Sequence, residues 1–403
     1  MSFHHHRLRR SVALGVGLAL VGTFAVGCQG DKSSDGASDP GHRDDSPAAA
    51  EPARVTVNVN KTKPVPVDRL VNVDVSGGTL AAVRLRSADG ATIAGEVSDD
   101  GASWTAAERL EPGTSYVVTT EVRSTDGEQT TVRRRFTTVD LTLDQQVYPS
   151  VAPLEGETVG VGMPAIVTFD LPVTDRASIE KHLSVTSEPA QKGAWRWISD
   201  TEVHWRPASY WKPGTEVTIE ADVNSVPAGD GRYGQESRTV HFTVGDSHVY
   251  RVNAQTHQMK VFTNGKLIRT FPITTGKSGF VTRSGTKVIM EKFRYRRMRS
   301  ETVGIPAGSS ESYDIDDVEY AMRVTYSGEF IHAAPWSVGS QGHANVSHGC
   351  TGMSTADAGF LYDMSRRGDV VEYTGTDRPM TLENGYGDWN LGFKDWKQGS
   401  ALT

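Results

Sequence analysis

Residues 326–353 read Tyr326-Ser-Gly-Glu-Phe-Ile-His332-Ala-Ala-Pro-Trp-Ser-Val-Gly-Ser-Gln-Gly-His343-Ala-Asn-Val-Ser-His348-Gly-Cys350-Thr-Gly-Met353. Three histidines and a cysteine fall within 19 residues of this stretch. A thiol attacks as its thiolate, and an imidazole within hydrogen-bond reach both draws off the proton and later returns it to a leaving amine. His332 closes an apolar, strand-like run and His348 stands two residues before Cys350, so on spacing alone either ring can approach the sulfur. Gly349 removes side-chain bulk beside the thiol, where backbone N–H groups can cradle an oxyanion. Zinc is the competing use, with His332, His343, His348 and Cys350 as ligands. The spacing matches no common zinc signature, and no paired Cys or His-Glu pattern accompanies it, so neither a metal nor another cofactor is expected.

The other cysteine is Cys28. It follows Arg7, Arg9 and Arg10, an acid-free apolar run from Val12 to Val26, and the small-residue sequence Ala25-Val26-Gly27. This run is too short for a permanent span and reads as an export signal, 1–27. The pattern resembles a bacterial lipoprotein signal, which implies a diacylglyceryl thioether on Cys28, an anchor in the outer face of the cytoplasmic membrane, and a protein facing the cell wall. An ordinary secretory signal is the plainer alternative, and Arg9-Arg10 also admits twin-arginine export. Once Cys28 is lipidated, Cys350 is a lone thiol in an oxidising compartment, which makes it a candidate nucleophile rather than a disulfide partner. Loss of the leader removes three Arg and no acid, taking the formal charge from −7 to −10 and disfavouring nucleic acid as a partner.

Residues 28–53 carry six acids, two bases and almost no large apolar side chain, and read as a flexible tether. From Arg54 the texture is strand-like, with alternating runs such as Val55-Thr-Val-Asn-Val59 broken by Asp89-Gly90 and Pro112-Gly113. Trp104 with Pro112-Gly113-Thr114 recurs as Trp205 with Pro213-Gly214-Thr215, at an offset of 101. Two tandem immunoglobulin-like β-sandwiches, 54–140 and 141–246, are expected. A β-rich domain follows over 247–374. Gly276-Lys277-Ser278 there is not a P-loop, because the upstream glycine position holds Phe271. Arg294, Arg296, Arg297 and Arg299 read first as a solvated hairpin face and second as a substrate-facing cluster. Ser354 caps one notable helix, Ala358, Leu361 and Met364 line one of its faces, and Gly368 is expected to end it. Residues 375–403, with Trp389, Phe393 and Trp396 at helical spacing, are expected to form an appendage packed on the catalytic domain. The fold class is mainly β.

Ser347-His348-Gly349-Cys350, preceded by His332-Ala-Ala-Pro-Trp336 and by Gly276 with Ser284-Gly285-Thr286, resembles the YkuD-type L,D-transpeptidase domain. The leader, the sandwiches and the tryptophan-rich tail resemble the actinobacterial lipoprotein branch of that family. The resemblance implies Cys350 as nucleophile, His332 as proton donor and acceptor, and His348 and Gly349 as neighbours that matter for ring orientation and oxyanion donors. It further implies that Tyr313, Ser327, Gly328 and Gly352 line the pocket for peptidoglycan stem peptides. The activity implied is formation of 3→3 cross-links with release of D-Ala, and carbapenem acylation of the thiol. An L,D-carboxypeptidase of the same fold and a wall-binding scaffold are the alternatives. Two positions depart from the pattern. Ala333 stands where relatives often carry Ser, which spares a role for its backbone carbonyl, and Gly352 stands where they often carry Asn.

Overall fold

The structure is a computed structural model that describes residues 52–59 and 62–403. The leader, Cys28 and the tether through residue 51 lie outside the described residues. Alternating burial along Ser115–Ser124 puts Tyr116, Val118 and Val122 on an inner face, as half-buried strands require. This strand lies in a sheet ordered Thr92–Ile93, Gly78–Ser87, Ser115–Ser124, Gln129–Thr137. A second sheet, Arg54–Val57, Asn72–Ser76, Ser103–Ala106, Gly95–Val97, faces it across Val73, Leu85, Trp104 and Phe136.

The next sandwich repeats the plan, with Pro149–Ala152, Ala165–Phe169, Glu202–Pro207 and Gly193–Trp197 in one sheet and Thr158–Val159, Arg238–Val244, Glu216–Ala221 and Leu183–Glu188 in the other. The repeated landmark has a physical basis. Trp104 and Trp205 each lie against a glycine of the adjoining edge strand, Gly95 or Gly193, where a Cβ would come within 2.2 Å of the indole. Gly113 and Gly214, both at positive φ, turn the chain so that their N–H groups donate to Val139 and Val244 carbonyls at 2.9 and 2.8 Å.

Residues 248–374 form two further sheets. One is ordered Lys266–Pro272, Gln258–Thr263, His248–Asn253, Val370–Thr374, Gly285–Val288, and the other Glu291–Arg299, Asp314–Arg323, Phe330–Ala333, Thr351–Met353. They enclose a core that includes Tyr250, Phe271, Met322 and Ile331, and the helix Thr355–Met364 adds Ala358 and Leu361 to it. The helix begins as expected, with Ser354 Oγ accepting from the Asp357 N–H at 3.1 Å. It ends earlier than Gly368: Ser365 is the C-cap, and its hydroxyl donates to the Leu361 carbonyl at 2.5 Å. Gly368 has a different task. A Cβ there would lie 2.7 Å from the Gly160 nitrogen, so its bareness lets the second sandwich approach. Gly160 and Gly162 donate to the Arg367 and Gly368 carbonyls, each at 2.8 Å, and Val288, Met290 and Val370 join the sandwich core.

The tail corrects an expectation. Residues 376–390 cross the catalytic domain, where the Met380 N–H donates to the Ser284 carbonyl and Asn390 brackets Thr286. The aromatic part then docks on the second sandwich instead: Trp396 Nε1–H donates to the Ala194 carbonyl at 2.9 Å, and Arg206 lies 4.7 Å from the rings of both Trp389 and Trp396. A buried guanidinium wants aromatic faces and carbonyls around it, and the tail supplies them, including the Leu391 carbonyl at 2.7 Å.

Candidate active site

The strands Phe330–Ala333 and Thr351–Met353 run parallel, with Ile331 opposite Thr351 and His332 opposite Gly352. This register brings Cys350, one residue ahead of its strand, beside His332 although 17 residues separate them in the chain. Both side chains line one cavity of about 320 Å³ with Tyr313, Trp336, His348 and Gly352. At Gly352 a Cβ would meet Thr274 Cγ2 at 2.9 Å and Ala334 Cβ at 3.0 Å, so this position contributes backbone and no side-chain contact.

His332 is 5% exposed, and its Nδ1–H donates to the Ala333 carbonyl at 2.8 Å. Serine is not needed at 333 for this orientation. Burial holds the imidazole below its ordinary pKa, with the carbonyl contact opposing, so the resting ring is neutral with Nε2 as its free acceptor. The Cys350 S–H donates to the Gly328 carbonyl at 3.6 Å. Burial pushes the thiol up to about 12, the Phe330 backbone favours the thiolate, Glu329 opposes it and Lys287 supports it. At neutral pH the thiol rests protonated, and forming its thiolate needs a base.

The glycine-turn segment cradles the loop that leads to Cys350. Thr282 Oγ1 donates to the Gly349 carbonyl and accepts from the Gly276 N–H, both at 2.8 Å. A Cβ on Gly276 would sit 2.0 Å from the Phe280 oxygen and 3.0 Å from Gly349 Cα. Ser347 Oγ donates to the Cys350 carbonyl at 2.6 Å and accepts from the Gly349 N–H at 3.1 Å. Gly349 is therefore beside the sulfur as expected, but its N–H is engaged and must leave Ser347 before it can serve an oxyanion.

The two histidines left open by spacing are placed differently. His348 donates from Nε2 to Glu311 at 2.6 Å, a carboxylate also held by Lys277 at 2.6 Å, and packs against Phe280 and Tyr313. Glu311 and Tyr313 belong to the segment 300–313 that connects the strands Glu291–Arg299 and Asp314–Arg323. Burial, with the nearby Cys350, raises the Tyr313 phenol to about 12. Tyr313, Met298 and Cys350 are shared with a second cavity of about 180 Å³ that Gly328, Tyr326 and Arg296 also line. Ser327 lines neither cavity: its N–H donates to Asn384 Oδ1 at 2.8 Å and its hydroxyl accepts from Asn384 Nδ2 at 2.9 Å, so the tail claims it. His343 is exposed and stands apart. Among the described residues no three His, Cys, Asp or Glu side chains gather as around a metal. On the hairpin, Arg294 pairs with Glu319 and Arg297 with Asp314 and Asp316 on an exposed face, while Arg296 and Arg297 also line the second cavity with Cys350.

Several residues at the site escaped the sequence reading: Thr282, Glu311, Lys287 and Glu329. The last two had a signal, a charged residue within or directly beside an apolar strand run, which marks an inward charge with a partner elsewhere.

A thiol and an oriented neutral imidazole on the wall of one cavity are the parts that thiol acyl transfer requires. The sequence profile of the L,D-transpeptidase catalytic domain, YkuD, matches residues 247–372, and that of a bacterial Ig domain matches residues 62–227. L,D-transpeptidase 2 of Mycobacterium tuberculosis is 36% identical over 338 residues, covering 84% of this chain and 82% of that protein. L,D-transpeptidase 1 of the same species is 38% identical over 226 residues, 56% of this chain and 84% of its own. A solved L,D-transpeptidase in complex with imipenem aligns at a TM-score of 0.50 with 36% identity, covering 57% of this chain and 99% of that one. The chain belongs to the L,D-transpeptidase family, with an Ig-like portion preceding the catalytic domain.

Proposed function

We propose that the chain forms 3→3 peptidoglycan cross-links through a thioester on Cys350. The observation that carries this reading is the shared cavity, in which His332 is fixed through Nδ1 to the Ala333 carbonyl and keeps Nε2 for the thiol. In the reaction Nε2 takes the Cys350 proton while the sulfur attacks the carbonyl that joins the third residue of a tetrapeptide stem to its terminal D-Ala. The C–N bond breaks, the D-Ala amine leaves with the proton from His332, and a thioester remains. A side-chain amine of a neighbouring stem then attacks the thioester, the C–S bond breaks, and the amine's proton passes through His332 to the sulfur, restoring the thiol. Attack by water instead makes the protein an L,D-carboxypeptidase. The same thiolate opens a carbapenem ring, in line with the imipenem complex of the related enzyme.

Incubation with a carbapenem followed by intact-mass measurement is expected to give a single adduct, mapped to Cys350 and absent in Cys350→Ala. Stem-peptide turnover by Cys350→Ala at the wild-type rate would overturn the mechanism, and addition of an acceptor amine separates cross-linked dimer from tripeptide. For the N-terminal part, the reading is export and lipid anchoring through Cys28, with the sandwiches as spacers. Cys28→Ala should release the protein from the membrane fraction.

A further inference from the structure

Three charged side chains are packed in the interior against the segments that carry the nucleophile. Glu329 accepts from Lys287 Nζ at 2.5 Å and from Arg283 Nη1 at 2.9 Å, with side-chain exposures of 6%, 0% and 15% respectively. The Arg283 backbone N–H adds a third bond to Glu329 at 3.1 Å. Glu329 lies between Gly328, whose carbonyl accepts from the Cys350 S–H, and Phe330, which lines a cavity with Cys350 and whose backbone favours its thiolate. Its Cγ would be 3.8 Å from a Cβ placed on Gly349. Lys287 Nζ lies 3.7 Å from the centre of the Tyr373 ring, and the Tyr373 hydroxyl is 2.8 Å from Thr351 Oγ1, the residue after the nucleophile. The cluster thus grips the chain on both sides of Cys350.

Stability alone does not call for such a cluster. Buried ion pairs are commonly matched or exceeded by apolar side chains of similar volume, and the surrounding core is apolar. Two cations and one anion leave a net charge of +1 behind a sulfur that must become negative. We propose that the Arg283–Glu329–Lys287 triad is a positioning and charge-setting device for Cys350: Glu329 holds the 328–330 backbone on the sulfur, and the two cations offset its charge so that the thiolate can form. The proposal rests on the reading of Cys350 as nucleophile. Burial lowers the Lys287 ammonium to about 8, with Glu329 opposing, so Lys287 stays largely charged at neutral pH. The other titratable or charged groups facing Cys350 are His332 and Tyr313 in the first cavity, Tyr326, Arg296, Arg297 and Arg323 in the second, His348 on its own loop and Tyr373 beside Thr351.

The test is the pH dependence of iodoacetamide alkylation in the full-length protein, read on the Cys350 peptide by mass, with carbapenem acylation measured in parallel. Lys287→Met and Arg283→Gln should slow alkylation roughly three- to tenfold at any fixed pH below the thiol midpoint, and Glu329→Gln should speed it by less, because losing Glu329 also lets burial weaken the charge on Lys287. Lys287→Arg should return the rate toward wild type. A merely structural role moves all three variants in one direction, so rates that shift together, or folded variants within about 1.5-fold of wild type, would overturn the proposal. If Lys287→Met does not fold, Glu329→Gln against Arg283→Gln still carries the opposite-sign comparison, because Arg283 is at the cluster's edge. Failure of the underlying reading looks different: the alkylation rates still separate, while no carbapenem adduct forms on any variant.

Discussion

Replacing Thr282 with valine removes one hydroxyl and leaves the shape of the side chain nearly intact. Thr282 is 1% exposed, and its Oγ1 both accepts from the Gly276 N–H and donates to the Gly349 carbonyl at 2.8 Å. The variant leaves a buried donor and a buried acceptor without these bonds, at about 1–3 kcal/mol each, so a loss of about 2–6 kcal/mol from stability is expected. The effect on chemistry should be larger in proportion. The Gly349 carbonyl is in the peptide group that joins Gly349 to Cys350, and a shift of about 1 Å in a reacting group can reduce acyl transfer about 100-fold. Urea unfolding gives the stability change, and the rate of carbapenem adduct formation, taken well below the unfolding transition, gives the positional one. Thr282→Ser keeps the hydroxyl and should remain within a few-fold of wild type, roughly 1 kcal/mol. A folded Thr282→Val that acylates as fast as wild type would refute the reasoning that this hydroxyl sets the position of Cys350.

Three further outcomes are expected. Burial opposes a charge on His204, but Asp388 and Glu202, each 2.8 Å from a ring nitrogen, raise its pKa from 6.5 to about 9. The stability this pairing contributes, about 3 kcal/mol, is fully present below the unfolded value of 6.5 and is lost as pH rises through about 9; unfolding midpoints across this range should flatten in His204→Gln, and an unchanged slope would count against it. Trp396→Ala empties a fully buried site on the second sandwich and should cost about 3–5 kcal/mol, measured by denaturant unfolding, with faster proteolysis of the tail. His343→Ala should acylate at the wild-type rate with no response to a zinc chelator, and a tenfold loss would reopen the zinc reading.

The mainly β fold was legible where the information is local. The alternation in Ser115–Ser124 and the Trp to Pro-Gly-Thr spacing are imposed by each strand and turn on its own sequence. What the sequence did not disclose depends on partners far along the chain. Gly368 looks like a helix terminator until Gly160 is seen against it, and the helix stops instead where the Ser365 hydroxyl takes the Leu361 carbonyl. The aromatic spacing of Trp389, Phe393 and Trp396 correctly signals packing but carries no address. The address is Arg206, a buried cation some 190 residues upstream whose need for aromatic faces is written nowhere near the tail.

At the site, the difference between His332 and His348 shows what sequence proximity lacks. His348 is two residues away in sequence, yet the carboxylate of Glu311 takes its Nε2, while the parallel register of two short strands delivers His332 from 18 residues away with its ring already oriented. Orientation matters more than nearness here, because a neutral imidazole can take the thiol's proton only through the nitrogen that the Ala333 carbonyl leaves free. The same logic explains why the substitution at 333 is harmless to this geometry. The contact uses the backbone, which alanine supplies as well as serine, so Ala333→Ser should leave the pH profile of acylation unchanged, whereas a shift in that profile would mean that the hydroxyl, and not the carbonyl, governs the ring.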